Sequence, residues 1–328
     1  MKKIFLLLSF VFVNLILHGC GQDPAKDLSV EISIATLNDN VVKYAIDIRT
    51  GQIDTSRKKV IAGISTGIKV PIDIEVNREN KLFVLNQGSG SIEPQVTIFS
   101  DTADGNIAPE AIINVNTGTD FKPIGLALAE GTDFIFVSYF PVAGTHLPKI
   151  VRFSISSGDR KTFEINSTSL GDIELLTSGT TIFALDPLGK QILLLGINSS
   201  FEIAPGSVSI KGGSTGLNNP SSIALTTDGS IHLFDIPVGT DAGRILVFDA
   251  NSSGDAAPVR VLWSYCTGKT LLTPYGLAVT EFLEAKVILA CSGNNLTTFP
   301  SGSNGCADFM QRIDIGAPVA VAFDKVRF

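Results

Sequence analysis

The chain is poor in charge, in cysteine and in helical pattern. Asp, Glu, Lys and Arg make up only 17% of its 328 residues, and hydrophobic residues 44%, which excludes a disordered chain or a coiled coil. Four cysteines over this length exclude a disulfide-stapled miniprotein. The formal net charge is −7 and no basic run interrupts it, so phosphate backbones are repelled and nucleic acid is not an expected partner. Beyond residue 20 no apolar run is long enough to span a membrane. No stretch sustains a 3.6-residue apolar period.

Instead there are 31 glycines and 15 prolines, separating short β-branched and aromatic runs. That is an all-β pattern, and its punctuation recurs. VPIDIEV (70–76), KPIGLAL (122–128), LGDIELL (170–176), NPSSIAL (219–225), TPYGLAV (273–279) and APVAVAF (317–323) share one outline. The first five are followed by a second run, a third that ends near Phe, and a weaker fourth. A shift of 149 residues carries Pro71 onto Pro220, Phe99 onto Phe248, Gly105 onto Gly254 and Pro109 onto Pro258 without gaps. Four strands per unit of about fifty residues predicts a β-propeller. Five units are complete, and the sixth has only its first strand. Segments 29–36, 41–48 and 54–61 supply the other three, because an open ring would leave unpaired strand edges. The expectation is an all-β, six-bladed propeller over residues 29–328, with the last blade shared by both chain ends.

The Pro-x-Gly-(Ile/Leu)-Ala start, the Phe-Val-x-Asn/Asp end of the second run and the Phe-x5-Gly-x3-Pro connection resemble bacterial NHL-type propellers. The N-terminus carries a second resemblance. Lys2 and Lys3 precede an apolar stretch from Ile4 to Leu17, which ends in Leu17-His18-Gly19-Cys20. This is similar to a bacterial lipobox, and it implies a signal peptide over 1–19, a lipidated Cys20, and a polar tether to residue 28. Gly21, where an Asp would imply inner-membrane retention, points the expectation to the outer membrane of a bacterial cell envelope.

In such a ring the first strand of each blade lines a central channel. The connections from strand two to three and from strand four to the next strand one share a face, termed the top. The column at the end of strand two reads Asn86, Tyr139, Asp186, Asp235 and Cys291. The column two residues after each Pro reads Asp73, Gly125, Asp172, Ser222, Gly276 and Ala320. Asp73, Asn86, Tyr139, Asp172, Asp186 and Asp235 are therefore the candidate ligand contacts at the top of the channel, with Ca²⁺ at Asp73 and Asp172. Asp and Asn also end strands and build turns, so both readings stand. Enzymes of the gluconolactonase kind hold a divalent ion in this region with Glu, Asn and Asp, but no Glu stands here at the first-strand position that pattern requires.

His232 falls in a column with Phe83, Phe136 and Phe183, and reads as a core residue. Gly63–Gly67 and Gly212–Gly216 fit a Gly-x-Ser-x-Gly nucleophile pattern. Their serines, Ser65 and Ser214, are 149 residues apart and precede no helix, so they read as repeat turns. Asp101–Asn106 reads as a bottom-face turn. Cys266 and Cys291 fall on the top, so a Cys266–Cys291 disulfide is expected, with Cys306 alone at the bottom. The functional expectation is a monomeric, lipid-anchored module binding a protein or carbohydrate. The alternative is a metal-dependent hydrolase of the lactonase kind.

Overall fold

A computed structural model describes residues 29–323 except 48, 143–145, 177, 241, 264–273, 281–286 and 307. Residues 1–28 lie outside it, and with them the expected signal peptide, Cys20 and tether. Its strands form six antiparallel sheets arranged as a β-propeller. Blade 1 is Pro71–Val76, Leu82–Asn86, Gln95–Phe99 and Ala111–Asn114. Blade 2 is Phe121–Leu128, Phe134–Pro141, Lys149–Ser154 and Arg160–Glu164. Blade 3 is Ile173–Leu175, Thr181–Asp186, Gln191–Ile197 and Ile203–Ile210. Blade 4 is Pro220–Leu225, Ile231–Asp235, Arg244–Phe248 and Arg260–Trp263, and blade 5 is Pro274–Thr280, Val287–Ser292, Asn295–Pro300 and Gln311–Asp314. Blade 6 takes its inner strand, Pro318–Phe323, from the C-terminal end. Ser29–Thr36, Asn40–Asp47 and Ile53–Ala62 come from the N-terminal end. The closure expected from the repeat is the one observed.

The apolar core lies between blades. Six clusters of buried side chains each join two neighbouring sheets: Val84 and Phe99 of blade 1 pack with Val41 and Ile61 of blade 6, and Phe83 and Val96 with Val137 and Phe153 of blade 2. Alternation along a strand puts successive side chains on opposite faces, so each sheet feeds two clusters.

A bulge recurs at the top of the inner strands. The ladder skips the residue after Pro71, Pro123, Pro220 and Pro274, and the same irregularity occurs between Pro318 and Ala320. Pro donates no N–H to the ladder, and a bulge re-aims the residue it leaves unpaired. Ile72, Ile124, Ser221, Tyr275 and Val319 are that residue, and all five line the channel.

The strand-three-to-four connections reach back to the preceding blade. Gly105 bridges Ile61, Gly254 bridges Ile210, and Gly305 pairs in parallel with Leu262. Asn106 Oδ1 accepts Ser65 N–H at 2.9 Å, and Asp255 Oδ1 accepts Ser214 N–H at 2.7 Å. Both Gly-x-Ser-x-Gly segments are single 3-10 turns closed by left-handed glycines. A Cβ on Gly63 would lie 2.5 Å from Asn106, and one on Gly212 would lie 2.2 Å from Asp255.

Two expectations about blade 5 are corrected. Pro274 pairs with Ser292 as Pro71 does with Asn86 and Pro220 with Asp235. Ser292, not Cys291, therefore ends the strand-two column. A one-residue slip turns a side chain to the other face. Cys291 accordingly lies in the cluster between blades 5 and 6, buried and unpaired, and the expected Cys266–Cys291 disulfide does not form. Cys306 is the disulfide-bonded residue; Cys266 lies outside the described residues. Twist accumulates across a blade, so an outer loop does not keep the face that strand order assigns to it. The loop carrying Cys306 pairs in parallel with Leu262 and Trp263, the end of the outermost strand of blade 4.

Candidate functional site

The residues ending strand two are held beneath the top surface. Asn86, Tyr139, Asp186 and Asp235 are all buried, and each ties down the connection that leads into its own blade. Asn86 Oδ1 accepts Lys69 N–H at 3.0 Å, and Tyr139 donates its hydroxyl to the Val115 carbonyl at 2.6 Å. Asp235 accepts the N–H groups of Asn218 and Asn219 at 2.8 Å on one oxygen and Arg244 on the other. Asp186 accepts from Ser169 Oγ at 2.6 Å, Gly189 N–H at 2.8 Å, Gln191 Nε2 at 2.8 Å and Thr168 Oγ1 at 2.9 Å. Burial pushes the Asp186 carboxyl up, but these donors outweigh it and hold it below the usual range. These four expected ligand contacts are anchors of the fold.

Asp73 and Asp172 do line the channel, together with Glu75 and Glu174. Both occur in the tripeptide Asp-Ile-Glu, in blades 1 and 3. Each aspartate bridges to the next blade. Asp73 accepts Leu126 N–H at 2.6 Å and its own neighbour Ile74 N–H at 2.8 Å. Asp172 accepts Ile223 N–H at 3.0 Å, Ser222 Oγ at 3.1 Å and Ile173 N–H at 2.9 Å. Small residues make room for this. A Cβ on Gly125 would lie 2.9 Å from Ile173 N and 3.1 Å from Asp172 Oδ1.

Burial, then repulsion from Asp172 and Glu75, pushes the Asp73 carboxyl well above its usual range. Burial raises Asp172 to about 6, against the pull of its hydrogen bonds. Ca²⁺ takes 6–8 oxygen ligands, whereas these two carboxylates are aimed at backbone amides. Among the described residues no three His, Cys, Asp or Glu converge as a metal-binding group. Asp73 and Asp172 by themselves do not fit a Ca²⁺ centre.

The channel is a cavity of about 350 Å³. Exposed apolar side chains stand in the connections on the top face. Of the twelve large hydrophobic side chains exposed among the described residues, nine stand on this face. The strand-two-to-three turns contribute Leu37, Ile92, Val142, Leu147, Leu188 and Val238, and the end of strand two in blade 2 contributes Phe140. Ile64 stands in the blade 6-to-1 connection, and Tyr275 at the channel mouth. Ile64 is 97% exposed, Val238 77% and Leu188 69%. The other three, Ile112, Val208 and Val259, lie on or beside outermost strands. Neither the bulged residues nor the exposed turn residues stand among the contacts expected from the sequence. The bulged residues were legible as the column directly after each Pro. The turn residues stand out only once burial is known, because a lone Leu or Val in a turn is common.

No family model matches the chain, and no curated protein matches it by sequence. Solved structures do. The crystal structure of a nidogen/laminin complex contains a similar chain: TM-score 0.63, 11% identity, covering 90% of this chain and 98% of that one. A periplasmic gluconolactonase from Pseudomonas aeruginosa has TM-score 0.60 and 13% identity over 91% of this chain and 100% of that one. For a putative 6-phosphogluconolactonase from Bacteroides fragilis the values are 0.60 and 10%, over 92% and 100%. At these identities the likeness establishes the propeller fold alone.

Proposed function

We propose that the chain is a binding module of the bacterial cell envelope: an NHL-type propeller, lipid-anchored through Cys20, that docks a partner on its top face. The observation that carries this reading is the concentration of exposed apolar side chains around the channel mouth. Exposed apolar side chains gathered on one face of a fold mark an interaction site. The anchor fits the geometry. Ser29, where the tether would join, starts a strand at the bottom, and the eight residues 21–28 span at most about 28 Å. The bottom therefore faces the membrane and the top faces away from it.

In-cell cross-linking tests this. Leu188→Glu with Val238→Glu should abolish the wild-type adduct, whereas Val208→Glu on the outer edge of blade 3 should leave it intact. An adduct that survives the top-face pair, or that vanishes with the edge control, overturns the docking face. Cys20→Ala should leave the protein without lipid label; unchanged labelling and fractionation refute the anchor.

The hydrolase reading has one observation in its favour, the raised carboxyls of Asp73 and Asp172 in a channel. Lactone hydrolysis by the purified protein that depends on added Ca²⁺ or Zn²⁺, and disappears in Glu75→Gln with Glu174→Gln, would establish it.

A further inference from the structure

We infer that Cys266 and Cys306 form a thiol-exchange latch on the seam between blades 4 and 5, a disulfide standing where two other seams carry a polar clasp. The latch is independent of the docking face. Register places it. At three seams the strand-three-to-four connection meets the preceding blade in parallel: Gly105 on Ile61, Gly254 on Ile210 and Gly305 on Leu262. The residue after each glycine is Asn106, Asp255 or Cys306. Four residues after each bridged partner stand Ser65, Ser214 and Cys266. Asn106 and Asp255 accept the N–H groups of Ser65 and Ser214, and Cys306 is disulfide-bonded. Two further matches fix the register. Asp104 Oδ1 accepts Val60 N–H at 2.8 Å, and Asn304 Oδ1 accepts Val261 N–H at 3.1 Å. The tripeptides Ser65-Thr66-Gly67, Ser214-Thr215-Gly216 and Cys266-Thr267-Gly268 differ only in an oxygen exchanged for a sulfur. Cys266 lies outside the described residues and is placed by this register, while Cys291 is buried and unpaired.

A second observation explains why this seam carries a covalent tie. Asn86 accepts Lys69 N–H with Oδ1 and donates Nδ2 to Thr97 Oγ1 at 3.2 Å. Ser292 and Thr297 hold the same two positions in blade 5, since Asn295 pairs with Ser292 as Gln95 pairs with Asn86. Ser292 has no amide for either task. Its hydroxyl oxygen and that of Thr297 are both closed to solvent without a hydrogen-bond partner. Among the described residues, blade 5 therefore has no counterpart to the side chains that tie down the entries to blades 1, 3 and 4. A disulfide restricts the chain at the same seam. Cys306 is exposed, and exposed disulfides are the ones that exchange.

A dithiol reductant supplies the two electrons. One of its thiolates attacks a sulfur of the disulfide, and the other protein sulfur leaves as a thiolate and takes a proton. The second reductant thiol then displaces the first from the mixed disulfide. The products are two protein thiols and an oxidised, cyclic reductant.

The probe is dithiothreitol, added to the full mature chain at neutral pH without denaturant. Trp263 is the sole tryptophan and pairs with Cys306 across the seam, so its emission reads the latch. Reduction should change that emission and lower the melting temperature by roughly 5 °C. Amide exchange at Arg260–Trp263 should quicken by about tenfold, while Ile61 and Ile210 keep their rates. Reoxidation should reverse all three changes. Cys266→Ser with Cys306→Asp rebuilds the clasp of Ser214 and Asp255. This variant should fold, ignore dithiothreitol and melt above Cys266→Ser with Cys306→Ala.

Mass mapping that joins Cys306 to any residue but Cys266 overturns the latch. So does reduction that proceeds only in denaturant, which would make the disulfide an inert staple. Exchange that quickens equally at all three seams would make it a prop of the whole ring and would overturn the latch as well. The first double variant melting no higher than the second would refute the shared register of clasp and disulfide.

Discussion

His232 occupies a position that Phe83, Phe136 and Phe183 fill in three other blades, and it is 1% exposed. Burial, and then the charge of Arg260, lowers its pKa from 6.5 to about 4. Between those values the unfolded chain takes up a proton that the native chain refuses, so His232 costs native stability as pH falls through this window. Asp172 works in the opposite sense. Its native pKa of about 6 lies above the ordinary 3.8, so its contribution weakens as pH rises from 4 to 6. His232→Phe removes only the first effect. Its melting temperature relative to wild type should climb as pH is lowered from 6.5 to 4; a constant difference would contradict the assignment. Asp186→Ala leaves several donors of the blade 2-to-3 connection without an acceptor and should cost about 3 kcal/mol in urea unfolding. Cys291 should resist alkylation until the protein unfolds, because burial also pushes its thiol up. Non-reducing mass mapping should join Cys306 to Cys266, which follows Trp263 by three residues in the sequence.

Between elements, the decisive distances are those that set one blade against the next. The Asp73 and Asp172 bridges need close inner strands, and Gly125 supplies the closeness between blades 2 and 3. Gly125→Ala should destabilise by about 2 kcal/mol, since its methyl would meet backbone that is slow to yield. Gly196→Ala, with nothing nearer than 4.0 Å, should stay within about 0.5 kcal/mol of wild type. Equal effects would show that the inner strands tolerate separation. The outer contacts follow the same logic. Lys43, buried within blade 6, donates to the Asp101 carbonyl of blade 1 at 2.8 Å and pairs with Glu31 at 2.6 Å. The segment Asp101–Asn106, read from the sequence as a bottom-face turn, is thereby occupied in clasping the preceding blade.

At the scale of the molecule, one closure holds the ring. Ala320 and Val321 of the inner strand of blade 6 pair with Ala35 and Ile34. Ala320 also sits beneath Gly276, where a Cβ would fall 2.8 Å from its Cα. Removing residues 318–328 takes away that strand and exposes the unpaired edge of Ser29–Thr36. The shortened chain should lose its single cooperative thermal transition, whereas a chain beginning at residue 29 should keep it. Retention of a cooperative transition after the C-terminal deletion would mean that the five complete blades are stable without closure.

Blade number, blade boundaries and the shared sixth blade were legible in the residues alone. A repeat unit that cannot bury its own faces must stack, and the spacing of Pro, Phe and Gly counts the units directly. The roles of His232, Ser65 and Ser214 were legible for the same reason: His232 shares a column with phenylalanines, and the two serines recur at one repeat position, 149 residues apart, with no helix after them. What the columns could not decide was depth. Asn86, Asp186 and Asp235 end their strands as expected, yet the connection passing over them takes up their hydrogen bonds and closes them from solvent. The bulge after each Pro turns the next residue, Ile72 or Tyr275, into the channel instead. Nor could a column register blade 5, where a slip of one residue separates Cys291 in the core from Ser292 at the strand end. The engagement of Cys306 needed the twist of whole blades, which brings a loop drawn at one face against a strand ending at the other. Periodicity is a local property that the chain carries in one dimension. Depth, register and twist arise only when neighbouring sheets pack.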